Sequence, residues 1–336
     1  MKKIVIFGST GNIGAYFTDY CNNMIDKKQY EVIAVGRKHT DYYKKAGIEY
    51  INVDLCNASD FERLPTEDLY AVVNLAGLLP AYMKEYDPSV WQVSFYKDSS
   101  FCKMRTYKTT PSENIADRAL YTQTWAEQAG YWGKEDVLHP EYPRKLLFTG
   151  DHAFYAITKS MIVDTMEYYK QEYGLKNFVF RLPNVYLYHP EKYYYVDCVK
   201  KPIGYRYMID KATAGDTIEM WGNPDAFKDI LYIKDLCQMM YKALFAQVDG
   251  GTYNAGTGIR TTLREQIEGI VDVFSPKEHR SNIVEKPEKS SFTSFVMDIE
   301  NAKKDLGYKP EFSYIRYLQD YKNEQELNRF AELWRK

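Results

Sequence analysis

The stretch KKIVIFGSTGNIG, residues 2–14, joins a short apolar segment directly to a glycine-rich loop. The apolar segment ends at a glycine, as a buried parallel strand does before it turns. Glycines at positions 8, 11 and 14 give the spacing GxxGxxG, and residues 13–26 then show helical periodicity. Glycine lets the backbone approach a pyrophosphate closely, and the N-terminus of the following helix offers free N–H groups and the positive end of its dipole. The stretch therefore predicts a dinucleotide-binding loop, with an ordinary turn as the alternative.

The chain beyond this loop repeats the alternation of strand and helix. Strand-like segments cover residues 30–36, 48–55, 69–77, 116–124 and 177–186, and a helix is predicted over 155–173, ending before Gly174. Further strand ends are predicted within residues 229–236 and 251–258. Strands that alternate with helices form βαβ units, and right-handed crossovers place the helices on both faces of a parallel sheet. We predict an α/β fold with a Rossmann-type doubly wound parallel sheet.

The composition argues against several classes of protein. The formal net charge of −2 argues against a nucleic-acid-binding surface, and apolar runs of only strand length argue against a membrane span. The five cysteines form no CxxC and the five histidines form no HxxxH, so no metal site is predicted. Scattered cysteines favour a reducing compartment, and we predict a cytoplasmic protein.

The end of the second strand predicts which dinucleotide binds. NAD sites usually carry Asp or Glu here, to bind the ribose 2′-hydroxyl. In this chain Gly36 is followed by Arg37 and Lys38, two cations that suit a 2′-phosphate, so we predict NADP in preference to NAD. Asp54, at the end of the third strand, is a candidate for contact with the adenine edge. A solvated basic pair and an ordinary strand-end aspartate are the alternatives.

Three YxxxK patterns occur in the chain, beginning at Tyr155, Tyr188 and Tyr207. Positions i and i+4 of a helix share a face, so Tyr155 and Lys159 can point at one cofactor. A lysine cation favours the phenolate, which lets a tyrosine exchange protons near neutral pH. Pro190 prevents a shared helical face in the second pattern, and the third follows the sixth strand. The first pattern alone lies between a fifth and a sixth strand, so it is the predicted proton-transfer pair.

Together these motifs resemble the extended short-chain dehydrogenase/reductases, and among them the NAD-dependent epimerase/dehydratase group. The resemblance runs in family order from residue 4 to about 310, except over residues 84–118. Beside the glycine loop and the YxxxK pair it rests on NLAG (74–77), RLPNVY (181–186), KDILYIKDL (228–236), YNAGTG (253–258) and MDIENAKKDLGYKP (297–310). It implies that Lys159 also binds the nicotinamide ribose. It further implies that Thr124, rather than Thr122, hydrogen-bonds the reacting oxygen of the substrate.

The candidate site residues follow from these segments. Catalysis is assigned to Thr124, Tyr155 and Lys159, and substrate binding to Asn184 and Lys228. The residues assigned to the cofactor are Gly8, Thr10, Gly11, Asn12, Ile13, Gly14, Arg37, Lys38, Asp54, Leu55, Leu75, Ala76, Gly77, Tyr155, Lys159, Pro183, Asn184 and Val185.

Three positions depart from the family pattern. Ser94 stands near a family Asn, which puts the role of that position in doubt. Trp-Ala at 125–126 follows Thr124 where the family's 4,6-dehydratases have Asp-Glu, so elimination of water by that mechanism is disfavoured. Lys228 replaces the phosphate-binding Arg of the UDP-sugar enzymes, and the second family Arg is not evident near Ser294. Because lysine lacks the bidentate fork of arginine, the assignment to UDP-sugars is weakened.

We expect one part of the chain to bind the dinucleotide and another to bind the substrate. Residues 1–182, with 227–253 returning to them, form the predicted dinucleotide-binding domain. Residues 183–226 and 254–320 form a smaller C-terminal α/β substrate-binding subdomain, and residues 321–336 form a C-terminal helix.

The resemblance implies an NAD(P)-dependent epimerase of a nucleotide sugar, acting through transient oxidation to a keto intermediate with Tyr155 as acid and base. It also implies a homodimer formed through the YxxxK helix, where residues 160–169 carry enough apolar side chains for an interface. An NADPH-dependent reductase or dehydrogenase of a sugar or small ketone is the first alternative, favoured by Arg37 and Lys38. A non-catalytic dinucleotide-sensing protein on the same fold is the second.

Overall fold

The computed structural model describes residues 1–77, 116–124, 136–144, 153–196 and 199–335. The strands are β1 (Lys2–Phe7), β2 (Tyr30–Gly36), β3 (Glu49–Asn52), β4 (Leu69–Asn74), β5 (Arg118–Thr124), β6 (Val137–Leu138), β7 (Lys176–Leu182), β8 (Val185–Tyr186), β9 (Tyr193–Val196), β10 (Val199–Pro202), β11 (Ile218–Trp221), β12 (Phe227–Lys228), β13 (Leu231–Tyr232), β14 (Gly250–Asn254), β15 (Thr261–Thr262), β16 (Ile283–Lys286) and β17 (Val296–Met297). The helices are α1 (Asn12–Met24), α2 (Tyr42–Lys45), α3 (Ala153–Tyr173), α4 (Gly204–Ala214), α5 (Ile233–Phe245), α6 (Leu263–Phe274), α7 (Glu300–Leu306), α8 (Tyr314–Leu327) and α9 (Ala331–Trp334).

Seven of these strands form one sheet, in the order β14-β7-β5-β4-β1-β2-β3. Every pairing in this sheet is parallel. The chain starts in the middle at β1, runs outward to β3 and then returns to place β4 on the other side of β1. The predicted α/β fold with a doubly wound parallel sheet is confirmed. The order reverses between β1 and β4, which is where open α/β sheets bind their ligands.

The first strand shows how both faces of the sheet are covered. Ile4 and Ile6 are fully buried in a cluster that includes residues of α1 and α5. Val5 and Phe7 point to the opposite face and pack in a second cluster with Ile162 of α3. Burying one such side chain stabilises the fold by roughly 1.5–3 kcal/mol. The continuous apolar run in the sequence is therefore the consequence of a strand that is covered on both sides.

Two later strand predictions can be compared with the structure. The strand predicted within residues 177–186, running into a turn that contains proline, is β7, which ends at Leu182 because Pro183 has no N–H with which to continue a ladder. The short β8 that follows pairs with β13 instead. The strand end predicted within residues 229–236 is β13, and α5 begins directly after it at Ile233. Residues 235–240 of α5 are all buried, so the helical period is not evident from this part of the sequence.

The C-terminal segment also differs from its prediction. One helix was expected over residues 321–336, and this is wrong. Helix α8 ends at Leu327 and α9 begins at Ala331. Asn328 separates them in a left-handed conformation with a φ of 42°. Asparagine tolerates that conformation better than most residues and often ends a helix.

A buried carboxylate anchors the later part of the chain. Asp229 accepts hydrogen bonds from the backbone N–H groups of Thr257, Gly258 and Met297 at 2.7, 2.9 and 3.1 Å. The Thr257 hydroxyl donates a further bond at 2.8 Å. Burial raises the pKa of this carboxyl, although these bonds oppose the rise. Asp229 therefore fixes the loop after β14 against β17. The division of the chain into a cofactor domain and a substrate subdomain stays a prediction.

Candidate active site

The glycine loop lies between β1 and α1, at the reversal in strand order. Gly8 has a φ of 76°, and a Cβ there would stand 2.6 Å from the backbone nitrogen of Ala76. A Cβ on Gly14 would overlap the carbonyl oxygen of Gly8. Gly11 is the N-cap of α1 and has no side chain to accept from the first N–H groups, and the first turn contains no acidic residue. The loop therefore keeps the N–H groups of the first helical turn for an anion, which fits a dinucleotide pyrophosphate.

Two side chains that the sequence did not single out hold this loop. The Ser9 hydroxyl donates to the carbonyl oxygen of Val35 in β2 at 3.0 Å. The Tyr43 hydroxyl, from α2, donates to the carbonyl oxygen of Ser9 at 2.5 Å. Both side chains are buried. One tyrosine of 32 gives no sequence signal for such a contact, since the contact depends on α2 folding back over the loop.

The loop after β2 is fixed through its own carbonyl groups. The Tyr50 hydroxyl donates to the carbonyl oxygens of Gly36 and Lys38, at 3.0 and 2.5 Å. The Asn52 amide donates to those of Gly36 and Arg37, at 3.2 and 2.8 Å. A Cβ on Gly36 would lie 3.0 Å from the Thr10 hydroxyl oxygen and 3.1 Å from that of Tyr50. The space that an acidic side chain would need at this position is thus restricted by Thr10 and Tyr50.

The two cations of this loop have different surroundings. The Arg37 side chain is exposed and makes no hydrogen bond or ion pair with the part of the chain that the structure describes. The Lys38 ammonium donates to the carbonyl oxygen of Leu333 at 2.9 Å and to that of Arg335, at the end of α9. Arg37 is therefore available to a ligand as it stands, whereas Lys38 already has acceptors.

The segment after β4 lies beside the glycine loop, and the segment after β3 is bonded to the end of β2, where the Val53 N–H donates to the Gly36 carbonyl oxygen at 2.9 Å. The Asp54 carboxylate accepts from the N–H of Cys56 at 3.0 Å, and Leu55 is buried in the core. After β4, the Asn74 side-chain oxygen accepts from the N–H of Ala76 at 3.0 Å. This bond shapes the backbone of Leu75, Ala76 and Gly77, the segment against which Gly8 packs.

The three predicted catalytic residues come from two neighbouring elements. Thr124 is the last residue of β5, and Tyr155 and Lys159 lie one turn apart on α3. The side chains of Thr124 and Tyr155 lie outside the described part of the structure. Lys159 is buried, its ammonium donates to the carbonyl oxygen of Ala76 at 3.4 Å, and it stands 5.3 Å from the centre of the Tyr121 ring. The structure thus brings Lys159 to the loop after β4, next to the glycine loop.

The predicted substrate residues lie on later elements. Pro183, Asn184 and Val185 form the short connection from β7 into β8, where Asn184 is exposed. Lys228, in β12, is half-buried with its ammonium 3.9 Å from the centre of the Phe292 ring, and burial lowers its pKa. The Ser294 hydroxyl oxygen accepts from the N–H of Phe227 at 3.1 Å. Ser94 and the Trp-Ala pair at 125–126 lie outside the described residues.

Comparison with known protein families gives a match over most of the chain. The model of the NAD dependent epimerase/dehydratase family matches residues 4–92 and 113–256. This chain belongs to that family. The resemblance and the enzyme class predicted from the sequence are confirmed. In this epimerase/dehydratase the match spans the glycine loop, the YxxxK pair and the segment from β7 to β14.

A curated relative matches a smaller part of this family member. It is the Low-salt glycan biosynthesis protein Agl12 of Haloferax volcanii, 24% identical over 187 residues, which are 55% of this chain and 53% of the relative. The match thus spans about half the length of that protein.

Solved structures share the fold of this epimerase/dehydratase over nearly its whole length. The UDP-glucose 4-epimerase of Thermotoga maritima, solved with UDP-glucose, has a TM-score of 0.69 at 18% identity and covers 96% of this chain and 99% of its own. The dTDP-glucose 4,6-dehydratase of Bacillus anthracis, solved with NAD, also has a TM-score of 0.69 at 18% identity, with coverages of 99% and 100%. The UDP-glucuronic acid 4-epimerase of Bacillus cereus, solved with NAD, reaches 0.68 at 16% identity, with coverages of 96% and 97%.

Among the described residues, no helix is both long and apolar enough to span a membrane. Their His, Cys, Asp and Glu side chains form no group of three or more that could hold a metal ion.

Proposed function

We propose that this protein is an NAD(P)-dependent epimerase of a nucleotide sugar. The observation that carries the proposal is the placement of Lys159, which is buried and bonded to the loop after β4 at the reversal in strand order. A YxxxK lysine at that place stands beside a glycine loop that fits a dinucleotide. The cofactor would supply the chemistry of accepting a hydride from a sugar carbon and giving it back.

The protein's own residues would then handle the proton and the orientation. Tyr155 takes the proton from the sugar hydroxyl as the carbon is oxidised, and returns it when the centre is reduced on its other face. Lys159 holds the ribose hydroxyls of the cofactor and favours the phenolate form of Tyr155 by its charge. Thr124 donates a hydrogen bond to the reacting oxygen. Together the three residues bind the cofactor, orient the substrate and move one proton.

The substrate proposal rests on Lys228 and Asn184. Lys228 offers a half-buried cation whose attraction for a diphosphate is strengthened by partial removal from water. Asn184 presents an amide from the connection between β7 and β8. Structural neighbours were solved with a UDP-sugar or NAD, which supports a nucleotide sugar as the substrate class.

The test is to incubate the purified protein with individual nucleotide sugars and to follow each sugar stereocentre by NMR. The expected result is inversion of one centre without net consumption of cofactor. Oxidation of NADPH together with an unchanged stereocentre for every sugar would replace the epimerase by the second candidate, an NADPH-dependent reductase of a sugar or small ketone. That candidate is favoured by the exposed Arg37 and by the absence of an acidic residue at Gly36.

The preferred cofactor in this proposal is NADP, on account of Arg37. Its guanidinium can bind a phosphate with two parallel hydrogen bonds. Direct binding measurements should give a dissociation constant for NADP about tenfold below that for NAD, and Arg37→Ala should remove the difference, since one charge-assisted hydrogen bond contributes about 1.5–3 kcal/mol. Equal affinities in the unmodified protein would contradict the preference. A homodimer in the cytoplasm completes the proposal.

A further inference from the structure

Helix α9, near the C-terminus, packs against α1 and α2. Phe330 and Leu333 are buried, with exposed fractions of only 1% and 2%. The Phe330 ring packs edge-on against Tyr16 of α1, with 4.8 Å between the ring centres. Glu332 forms an ion pair with Lys45 of α2 at 2.9 Å. These contacts fix the position of α9 on α1 and α2, beside the loop that follows β2.

Lys38 joins that loop to the end of α9. Its ammonium donates to the carbonyl oxygens of Leu333, at 2.9 Å, and Arg335. The last carbonyl groups of a helix lack partners inside the helix and carry the negative end of its dipole, so a cation is stabilised there. Lys38 thus acts as the cap of the C-terminal helix. Two of its three N–H donors are used in these bonds, which hold the ammonium at the end of α9.

Arg37 is not held in this way. Its own carbonyl is fixed by the Asn52 amide at 2.8 Å, while its side chain is exposed and forms no bond with the described residues. Of the two adjacent cations, Arg37 is therefore exposed to a ligand, whereas Lys38 is hydrogen-bonded to the end of α9.

We propose that α9 is a cofactor-selectivity element. It withholds Lys38 from the ribose 2′-phosphate, so that Arg37 alone distinguishes NADP from NAD. Releasing α9 adds Lys38 to the phosphate site and increases the preference for NADP. The inference rests on the proposed binding of a dinucleotide at the glycine loop, and it assigns to the C-terminus a role in the choice of cofactor.

The test measures dissociation constants of NAD and NADP by calorimetry on the cofactor-free full chain. Lys38→Ala should change neither value by more than about twofold, while Arg37→Ala should weaken NADP about tenfold. The double substitution Phe330→Ala/Trp334→Ala removes the ring contacts of α9 and should tighten NADP about tenfold with NAD unchanged. Adding Lys38→Ala to that variant should abolish the gain. Glu332→Gln, which removes only the exposed ion pair, is the matched control and should leave both constants unchanged.

A tenfold loss of NADP affinity in Lys38→Ala alone would overturn the inference, since Lys38 would then already bind the phosphate. A gain in the double variant that persists without Lys38 would also overturn it. If the double variant does not fold, Trp334→Ala alone removes the contacts of that ring with Tyr16 and Phe330 and should give a smaller gain that depends on Lys38, and no gain counts against the inference. Binding of neither dinucleotide by the unmodified protein would overturn the proposed function and this inference with it.

Discussion

At the scale of single residues, Lys159 is the group whose placement matters most. Its burial beside the carbonyl of Ala76 puts one cation where the glycine loop and β4 meet. The YxxxK pattern predicted this lysine from the sequence, because it named the helix between two strands. The pattern could not predict Ser9, Tyr43, Tyr50 or Asn52, whose hydrogen bonds hold the loops and depend on chain segments that are brought together only by folding.

Lys159→Met should lower kcat/KM by about 100-fold or more and also weaken cofactor binding, because one residue serves both tasks. Tyr155→Phe should lower kcat to a similar extent with little change in cofactor affinity. Steady-state kinetics and direct cofactor binding separate the two effects. The pair Tyr207 and Lys211 on α4 supplies the control, since it has the same spacing and Lys211 instead donates to the carbonyl of Thr217 at 3.0 Å. A comparable loss in Lys211→Met would contradict the assignment.

Asp235 should make stability depend on pH. Burial raises its pKa to about 6, against hydrogen bonds from the N–H groups of Glu311 and Phe312. A raised carboxyl pKa means that the folded state binds the extra proton, so this group favours folding below about pH 4 and loses that contribution as pH rises through about 6. From pH 4 to 7 the unmodified protein should lose about 2 kcal/mol of unfolding free energy relative to Asp235→Asn, at about 1.4 kcal/mol for each pKa unit and with the unfolded carboxyl already half ionised at pH 4. Urea unfolding at both pH values measures this, and parallel pH profiles would refute it.

At the scale of elements, the sheet strands were predictable and the later elements less so. Strands β1, β2 and β4 can be recognised in the sequence as continuous apolar runs, because helices cover both of their faces. The start of helix α5 was not predictable, because the short strand β13 ends at Tyr232 and the helix begins at the next residue, Ile233. Only the packing of Leu236 and Met240 against the sheet decides that the period is 3.6 rather than 2.

The start of α1 depends on Gly14. Gly14→Ala places a methyl group against the carbonyl oxygen of Gly8, so the loop must shift where it approaches the cofactor. We expect weaker dinucleotide binding by at least about tenfold and a loss of about 1–3 kcal/mol in unfolding free energy. Gly204→Ala is the control, because a Cβ there meets no atom within 4 Å, and its effect should stay within about 0.5 kcal/mol. Unchanged binding in Gly14→Ala would contradict the close approach.

The end of α5 depends on Arg118. This buried guanidinium donates to the carbonyl oxygens of Ala243 and Ala246 at 3.2 and 3.1 Å, and so caps the helix from β5. Arg118→Met should lower the unfolding free energy by about 2–4 kcal/mol, since two buried acceptors lose a charged donor. Arg280→Met, which breaks only an exposed pair with Asp272, should cost less than about 1 kcal/mol in the same denaturation experiment. Equal losses would show that burial of Arg118 is unimportant.

At the scale of the whole molecule, the burial of α3 residues restricts how the proposed homodimer can form. Ile162, Met166 and Tyr169 are buried against the sheet, so the apolar side chains that suggested an interface serve the protein's own core. The exposed positions farther along α3 include Asp164 and Glu167. We therefore place the proposed interface on the first half of α3, where Met161 is only half-buried.

Light scattering should give twice the mass of the chain, and Met161→Lys should shift the protein toward the monomer. Tyr168→Lys, on the exposed second half of α3, is the matched control and should leave the mass unchanged. A monomer in the unmodified protein at micromolar concentration would refute the dimer.

The sequence by itself determined the class of fold and the glycine loop, because both rest on local requirements. A strand covered on two faces must be continuously apolar, and a backbone that packs as closely as Gly8 and Gly14 must lack a Cβ. It also predicted the proposed proton-transfer helix, because the YxxxK pattern at Tyr155 alone lies between the fifth and sixth strands. Only the tertiary structure decided that Lys38 caps α9 while Arg37 stays exposed. Two adjacent cations look alike in a sequence, and what separates them is a helix about 295 residues away, seated by packing that no local pattern records.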